Sequence, residues 1–478
     1  MSAEETRTAS EAETGVQRLK PNAVGLLGVM FMAVATAAPI TAMVGNVPIA
    51  IGFGSGANAP AGYLVATIVL GLFALGYSAM AKHITSTGAF YGFISHGLGR
   101  VVGMGAGSLT TLAYVVFEAA LVGIFAFFAS SFFATHTALD ISWIWYALLM
   151  LAVNAVLTYF DINLTAVVLG GFLITEVVML AAMTISILVS GGGPQGWSLG
   201  SLNPLNAFHG LSGSVTHPDT GATLAVAGTA GIGLFFAFWS WVASSRPRCT
   251  ARSRATPSGS SAGHHALRAR HRRLLRDRVV VGHRRHRAGQ RRRPRPGRST
   301  AGQIFFGPVE QHLGHWAVVL FEFLLMSGSY ACGMAFHNCA SRYIYAIGRE
   351  DLVPGFGKTL GAAHPVHGSP YIAGFVQTTI ATLIVLAFYL TDRDPYAQLY
   401  ALMAILGTTA ILIVQALAAF SCIAYFHVQG KHPETANWFR TLLAPLVGGI
   451  GMVYVIWLLV ENAGFAAGAA ASDIVFKL

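Results

Sequence analysis

The chain has 478 residues, of which 54% are hydrophobic and only 10% are Asp, Glu, Lys or Arg. This composition, with a mean hydropathy of +0.60, is typical of an integral membrane protein and excludes a large soluble enzyme. The net charge of +11 is local in origin, because the segment from Ser244 to Thr300 contains eighteen Arg and one acid, Asp277. That segment carries +17, which leaves −6 on the rest of the chain.

Ten apolar segments are long enough to cross about 30 Å of hydrocarbon as helices. They lie at residues 24–52, 60–81, 103–133, 142–159, 163–190, 225–243, 314–338, 369–390, 398–427 and 442–461. Residues 1–20 are polar and acid-rich without a short apolar core, so they predict a cytosolic tail and not a signal peptide. The predicted organisation is this tail, six spans over 21–243 with the sixth truncated, the arginine-rich segment 244–300, and spans eight to eleven over 301–478.

The first span contains Pro39 and Pro48 within AVATAAPITAMVGNVPIA. Proline removes a backbone N–H and clashes with the preceding turn, so the helix is expected to break or kink near residues 37–41. A broken helix survives in a bilayer where it is buried in protein or lines a cavity, and in many transporters the break is the solute site. A proline kink without such a role is equally consistent with this span alone.

Three acids fall within predicted spans: Glu118, Glu176 and Glu322. Ionisable side chains are costly in lipid, so each is expected to face the bundle interior. Glu176, in FLITEVVML, is the preferred candidate for proton or substrate coupling, against a purely structural hydrogen bond between helices. Three histidines are expected at helix ends, facing water: His83, His96 and His337.

The sixth span reads AVAGTAGIGLFFAFWSW and concentrates aromatic residues at one end. A substrate gate built from Phe236, Phe238 and Trp239 is one interpretation. The alternative is an aromatic belt that places Trp239 and Trp241 at the membrane surface.

Basic residues orient the bundle when the N-terminus is placed in the cytosol. The basic residues then predicted to be cytosolic are Lys82, Arg100, Arg342, Arg349, Lys358, Lys431 and Arg440, whereas Arg393 lies outside. This pattern requires one crossing between residues 243 and 314. The arginine-rich segment cannot supply it, because one arginine costs about 2.5–3.5 kcal/mol at the bilayer centre.

Three accounts of residues 244–300 compete. The first is a polybasic cytosolic loop that binds anionic lipid or nucleic acid. The second is an inserted regulatory domain, although no apolar periodicity is present to build its core. The third, which we prefer, is a displaced reading frame. The codons that encode ASSRPRCTARSR at 243–254 can be chosen so that a neighbouring frame encodes GFESPAMYGEES, and the original reading frame resumes by about Gly302.

The stretch after the span at 314–338 carries a resemblance to a known family. HNCASRYIYAIGREDLVPGFGKTLGAAHPVHGSPYIA, from His337 to Ala373, resembles the cytosolic segment after the eighth span of amino acid–polyamine–organocation permeases. The residues that carry the resemblance are Arg342, Tyr345, Arg349, Glu350 and Pro354. LKPNAVGLLGVMFMAVATAAP and TSTGAFYGFISHGLGR are similar to the first span and the start of the third in the same family, and the resemblance covers about 18–243 and 303–465.

The resemblance implies an all-α polytopic membrane protein, a LeuT-like bundle of five plus five inverted-repeat helices with broken first and sixth spans. The substrate-binding residues it implies are Thr36, Ala37, Ala38, Pro39, Ile40 and Thr41, opposite a wall of Phe236, Ala237, Phe238, Trp239 and Ser240. Three departures stand out: Ala-Ala-Pro replaces the family's Gly-Ser-Gly type of break, no Lys occurs in the fifth span, and the seventh and twelfth spans are missing.

The expected function is a permease for amino acids or related amines in the cytoplasmic membrane, with the N-terminus cytosolic and transport impaired in this chain. Its expected partners are the small solute, the lipid bilayer and a co-transported proton, with no nucleic acid, cofactor, metal or catalytic residue. A membrane-anchored protein whose polybasic loop binds anionic lipid or nucleic acid is the alternative. A membrane-embedded enzyme is disfavoured, because no metal cluster, nucleophile elbow or phosphate loop occurs in the sequence.

Overall fold

The computed structural model describes residues 38–84, 90–137, 139–160, 162–191, 200–216, 223–241, 300–350 and 354–462. Its helices are α1 (Pro39–Ile49), α2 (Ala59–Met80), α3 (Phe90–Leu98), α4 (Arg100–Thr137), α5 (Trp143–Tyr159), α6 (Ile162–Val189), α7 (Ala230–Trp239), α8 (Thr300–Leu313), α9 (His315–Arg349), α10 (Tyr371–Leu390), α11 (Ala401–Ile423) and α12 (Ala444–Glu461). Segments of π-helix adjoin three of them, at Ala50–Ser55, Pro395–Tyr400, Ala424–Val428 and Trp438–Leu443. Short 3-10 segments lie at Gly56–Asn58, Gly200–Leu202 and Pro204–Phe208.

The chain is a multi-pass membrane protein. Within the described residues, six helical segments are long and apolar enough to cross a bilayer, and three shorter apolar helices accompany them. The helices α2, α5 and α10 reproduce the spans predicted at 60–81, 142–159 and 369–390 to within a few residues. Hydrophobic run length therefore located these helices correctly.

The two halves of the bundle repeat one unit. In the first half the short α3 runs through Gly99, with φ 95°, into the 38-residue α4. In the second half the short α8 runs through Gly314, with φ 90°, into the 35-residue α9. The order agrees with the expected five-plus-five repeat, and residues 242–299, which separate α7 from α8, lie outside the described residues.

The long helix α4 forms the centre of the bundle. Every residue from Ala113 to Ile124 is buried, which is the pattern of a helix surrounded by other helices on all sides. The ring of Phe117 contacts the ring of Phe336 on α9, with 4.9 Å between centroids. Helix α4 packs against α9 and α11, and α9 in turn packs against α1.

The sixth span differs from its predicted range of 225–243. Residues Thr223–Ala227 form strand β2, which pairs antiparallel with β1 (Ser212–Thr216), and helix begins only at Ala230. The Thr229 hydroxyl oxygen accepts a hydrogen bond from the N–H of Ile232 at 3.4 Å and caps α7. The backbone N–H of Thr229 donates to the carbonyl of Phe53 at 3.0 Å, so the hairpin is tied to the π-helical end of α1. Apart from this hairpin, the regular structure of the described residues is helical.

Candidate functional site

Helix α1 begins inside the bundle. Its N-cap residue, Ala38, has φ 34° and ψ 75°, a left-handed conformation that residues with a Cβ rarely adopt, and Pro39 occupies the first turn. No side chain of the N-cap residue satisfies the first N–H groups. Ala38, Ile40 and Thr41 are at most 4% exposed. The partial positive charge of a helix N-terminus is therefore held in the protein interior, as the proline pattern predicted.

The carboxylate of Glu176 meets this helix terminus. Its Oε2 accepts a hydrogen bond from the backbone N–H of Ile40 at 3.1 Å, and the side chain of Glu176 is buried. On the other side, the Thr41 hydroxyl donates to the carbonyl of Leu325 on α9 at 3.4 Å. A Cβ at Gly328 of α9 would lie 3.0 Å from Thr41 Oγ1 and 3.2 Å from Glu176 Cδ. The helices α1, α6 and α9 thus converge at a point where glycine alone fits without a shift.

The proposed wall on α7 and at its end is fully interior. Phe236, Ala237, Phe238, Trp239 and Ser240 are all at most 8% exposed. Ser240 Oγ accepts a hydrogen bond from Asn46 Nδ2 of α1 at 2.8 Å. Trp239 Nε1–H donates to the Tyr400 hydroxyl at 3.1 Å, and that hydroxyl donates in turn to Asn46 Oδ1. These polar contacts tie the broken first helix to α7 and to the π-helical segment before α11.

The ring of Trp239 is held by two phenylalanines. Its centroid lies 4.3 Å from that of Phe117 on α4 and 5.9 Å from that of Phe336 on α9, with which it is stacked at 11°. Trp239 and Trp241 are 7% and 4% exposed. A belt of these tryptophans at the membrane surface is therefore wrong, because both rings are covered by protein.

The structure brings together part of the predicted site. Ala38, Pro39, Ile40 and Thr41 lie at the start of α1, and Glu176 bonds to them directly. Trp239 and Ser240 reach α1 through Asn46 and Tyr400, whereas Ala237 lies on the face of α7 nearest Gly62 of α2. Thr36 and Ala37 lie outside the described residues. A role for these residues in binding solute stays a prediction.

A second buried polar cluster surrounds Glu118 of α4. Its Oε1 accepts from Asn154 Nδ2 of α5 at 2.9 Å, and its Oε2 accepts from Gln377 Nε2 of α10 at 2.7 Å. His337 Nδ1 of α9 lies 2.9 Å from Oε2, and both side chains are 0% exposed. The expectation that His337 faces water at a helix end is therefore wrong, because it lies within α9 and is enclosed by α4, α5 and α10.

The hydrogens of this cluster can be assigned by counting donors. The Thr158 hydroxyl has one hydrogen and donates it to the carbonyl of Asn154 at 2.7 Å, so it accepts from His337 Nε2–H. The other ring nitrogen, Nδ1, is then in hydrogen-bond contact with Glu118. We regard the cluster as a structural tie between four helices.

The third spanning acid, Glu322, is less enclosed than the other two. It pairs with His136 of α4 at 2.9 Å, and the two side chains are 15% and 22% exposed. The prediction that spanning acids face the interior is thus met fully by Glu118 and Glu176, and only in part by Glu322.

The residues that carry the family resemblance cluster at the end of α9. The guanidinium of Arg349 lies over the ring of Tyr345, 5.8 Å from its centroid. The Tyr91 hydroxyl of α3 donates to Glu350 Oε1 at 3.3 Å. Arg342 lies within α9, and Pro354 begins an exposed turn after it. Among the described residues, no group of three or more His, Cys, Asp or Glu side chains is placed to hold a metal ion.

Comparison with known proteins gives resemblances of structure alone. No protein-family model matches the chain, and no curated protein matches it by sequence. A nucleobase-cation-symport-1 family transporter, solved in a closed conformation with bromovinylhydantoin bound, is 12% identical over 96% of this chain and 98% of that one, with a TM-score of 0.49. A Na⁺-coupled sialic acid symporter in a substrate-bound outward-open state is 12% identical over 91% of this chain and 89% of that one, also with a TM-score of 0.49. Similarity at this level carries no information about the solute or the coupling ion.

Proposed function

We propose that the chain is built as a secondary transporter for amino acids or related amines in the cytoplasmic membrane, with its N-terminus in the cytosol. The observation that supports this most is the start of α1 at a left-handed Ala38, in the bundle interior and beside the buried Glu176. A helix terminus that is buried within a spanning region, beside a buried carboxyl group, gives a polar solute that has left water polar groups to contact. A left-handed helix start beside a buried acid is not favoured by stability alone.

The surroundings of the break fit a site that opens and closes. Helix α1, the end of α7 and the π-helical segment before α11 are joined by the side-chain hydrogen bonds of Asn46, Ser240, Trp239 and Tyr400. A small number of polar contacts between otherwise apolar helices can break and reform as a unit when helices rock. The amino acid–polyamine–organocation family remains our preferred assignment, on the motif at the end of α9 and on this arrangement.

The proposal extends to the defect in this chain. In the expected repeat, the counterpart of α2 would lie between α7 and α8, where the sequence offers no apolar span. We infer that a compensated frameshift over 244–300 removed that span, and that the chain as it stands transports poorly. Resequencing of codons 240–303, with a tryptic peptide from the expressed protein, separates a sequencing error from a real disruption.

The functional test is solute counterflow in liposomes, with the given chain and with a chain in which the reading frame over 244–300 is restored. We expect the frame-restored chain to exchange at least one amino acid or amine and the given chain to exchange it far more slowly. Trp239→Ala in the frame-restored chain should weaken exchange at unchanged expression, because the ring packs on both Phe117 and Phe336. A frame-restored chain that inserts correctly but exchanges no amino acid or amine would contradict the proposal.

A further inference from the structure

The place at which the family resemblance puts the carboxylate of an amino acid is already filled by the carboxyl group of Glu176. Glu176 Oε2 accepts the hydrogen bond of the Ile40 N–H at 3.1 Å, at the first turn of α1. Pro39 before it has no N–H to offer, and the N–H of Ala42 already donates to the carbonyl of Ala38 at 2.8 Å. A carboxylate of the solute brought to this terminus would therefore find few remaining backbone donors.

Glu176 itself lacks a counter-ion in the described part of the chain. Its Oε1 makes no hydrogen bond to any described residue, although the residue is only 2% exposed. Helix α1 contributes no titratable side chain. The acids and histidines on the packed helices α8 and α9 have other partners: Glu322 pairs with His136, His337 with Glu118, Glu310 with His315, and His312 with Ser190. The tyrosines of α5 are engaged elsewhere, Tyr146 against Phe133 and Tyr159 against His364.

Glu176 therefore differs from the other fully buried acid. Glu118 has three side-chain partners, Asn154, Gln377 and His337. Among the described residues, Glu176 has one backbone donor, and its Oε1 lies against Gly328 without a hydrogen bond. A buried carboxylate without a counter-ion is strongly unfavourable, so in the empty site it takes up a proton. An organic cation that enters beside it can displace that proton and form the missing pair.

We propose that Glu176 is the anchor for the ammonium group of the solute, that the solute is an amine without an adjacent carboxylate, and that proton and ammonium exchange on this one side chain. This inference rests on the proposed transporter function and narrows its substrate class. The step is balanced: the carboxylic acid of Glu176 releases one proton to water, and the resulting carboxylate pairs with the alkylammonium ion. Because one group holds either the proton or the amine, the two ligands exclude each other.

The test is binding to the purified full-length chain in detergent, with two matched pairs of probes. These are 1,5-diaminopentane with lysine, and phenethylamine with phenylalanine, since each amine is its amino acid without the carboxylate. We expect each amine to bind at least about tenfold more tightly than its amino acid, because the added carboxylate meets Glu176. Titration in two buffers of different ionisation enthalpy should show about one proton released for each amine bound, and amine affinity should rise by up to about tenfold per pH unit while the site is protonated.

The second part of the test repeats these titrations with the Glu176→Gln variant, and Glu322→Gln is the matched control. The glutamine should lower amine affinity by about 30-fold or more, abolish proton release, and leave amino acid affinity unchanged or improved. Glu322→Gln should change none of these, because Glu322 pairs with His136 near the end of the bundle. Proton release is measured on the unmutated chain, so the inference can still be tested if the Glu176→Gln variant folds poorly.

Each of the following outcomes overturns the inference. If the amino acids bind more tightly than their amines, Glu176 does not reserve the site for an ammonium group, while the transporter proposal stands. If amine binding releases no proton, or if the Glu176→Gln variant binds amines as tightly as the unmutated chain, then proton and ammonium do not exchange on Glu176, while the transporter proposal stands. If none of the four probes binds the unmutated chain or the frame-restored chain, the proposed function fails together with the inference.

Discussion

Replacing Glu118 by Gln is expected to destabilise the bundle by much more than one ordinary hydrogen bond. The two oxygens of Glu118 accept from Asn154 Nδ2 at 2.9 Å and Gln377 Nε2 at 2.7 Å, and His337 Nδ1 lies at 2.9 Å. A glutamine keeps one carbonyl oxygen and presents an NH₂ group in place of the other, so at least one of these donors then faces another donor. A buried polar group left without a partner costs about 1–3 kcal/mol, and breaking a buried ion pair about 3–5 kcal/mol, so we expect a loss of at least about 2 kcal/mol.

The assay is equilibrium unfolding of the purified protein in mixed detergent–SDS micelles, followed by helicity. Glu322→Gln is the control, since its partly exposed pair with His136 should contribute about 1 kcal/mol or less. The double variant Glu118→Gln with Gln377→Glu moves the carboxylate from α4 to α10 and should recover at least half of the loss. A cost below about 1 kcal/mol for Glu118→Gln, or no recovery in the double variant, would refute the account of this cluster as a tie between helices.

Three further predictions test the packing around the break and the cytosolic end. Gly328→Ala should lower solute affinity, because a Cβ there would press on Thr41 of α1 and Glu176 of α6. Gly105→Ala is the control, since its Cβ would meet nothing within 4 Å. If isothermal titration gives the same affinity for both variants, the close approach of α9 at Gly328 is not needed for binding. Tyr400→Phe should lower the free energy of unfolding by about 2–4 kcal/mol, since it leaves two buried polar groups unpaired, and a loss below about 0.5 kcal/mol would contradict this. Burial, and then the neighbouring His432, lowers the pKa of His83 from its ordinary 6.5. The stability that the neutral His83 side chain contributes should therefore be fully present above about pH 6.5 and be lost as the pH falls below that value. Hydrogen exchange in the loop at 429–437 should show this pH dependence, and the His83→Gln variant should not.

The sequence allowed the spans and the broken first helix to be predicted, because both are local properties. Hydrophobic run length located α2, α5 and α10, and Pro39 placed the break at the residue where α1 begins. The hairpin before α7 was not predicted, since its first strand lies in a polar stretch and its second reads as the apolar start of a span. Its position is fixed by hydrogen bonds to Phe53 and Gly54 after α1, a contact that is remote in sequence.

The buried cluster around Glu118 could be predicted only in part. The acid itself was expected to face the interior, but its partners Asn154, His337 and Gln377 lie 36, 219 and 259 residues away. A signal did exist, since each of these polar side chains interrupts an otherwise apolar span. Which of them meet is decided by helix packing, and sequence periodicity does not encode it for helices that are apolar on every face.

The account depends most on a solute site at the start of α1, beside Glu176. The most direct measurement is counterflow of 1,5-diaminopentane and of phenethylamine in liposomes that contain the frame-restored chain, its Glu176→Gln variant or its Glu322→Gln variant. We expect exchange of at least one amine by the frame-restored chain, its loss in Glu176→Gln, and its retention in Glu322→Gln. Equal exchange by all three proteins would contradict a solute site beside Glu176. Exchange of amino acids without exchange of amines would support the proposed transporter function but would show that Glu176 does not recognise the solute.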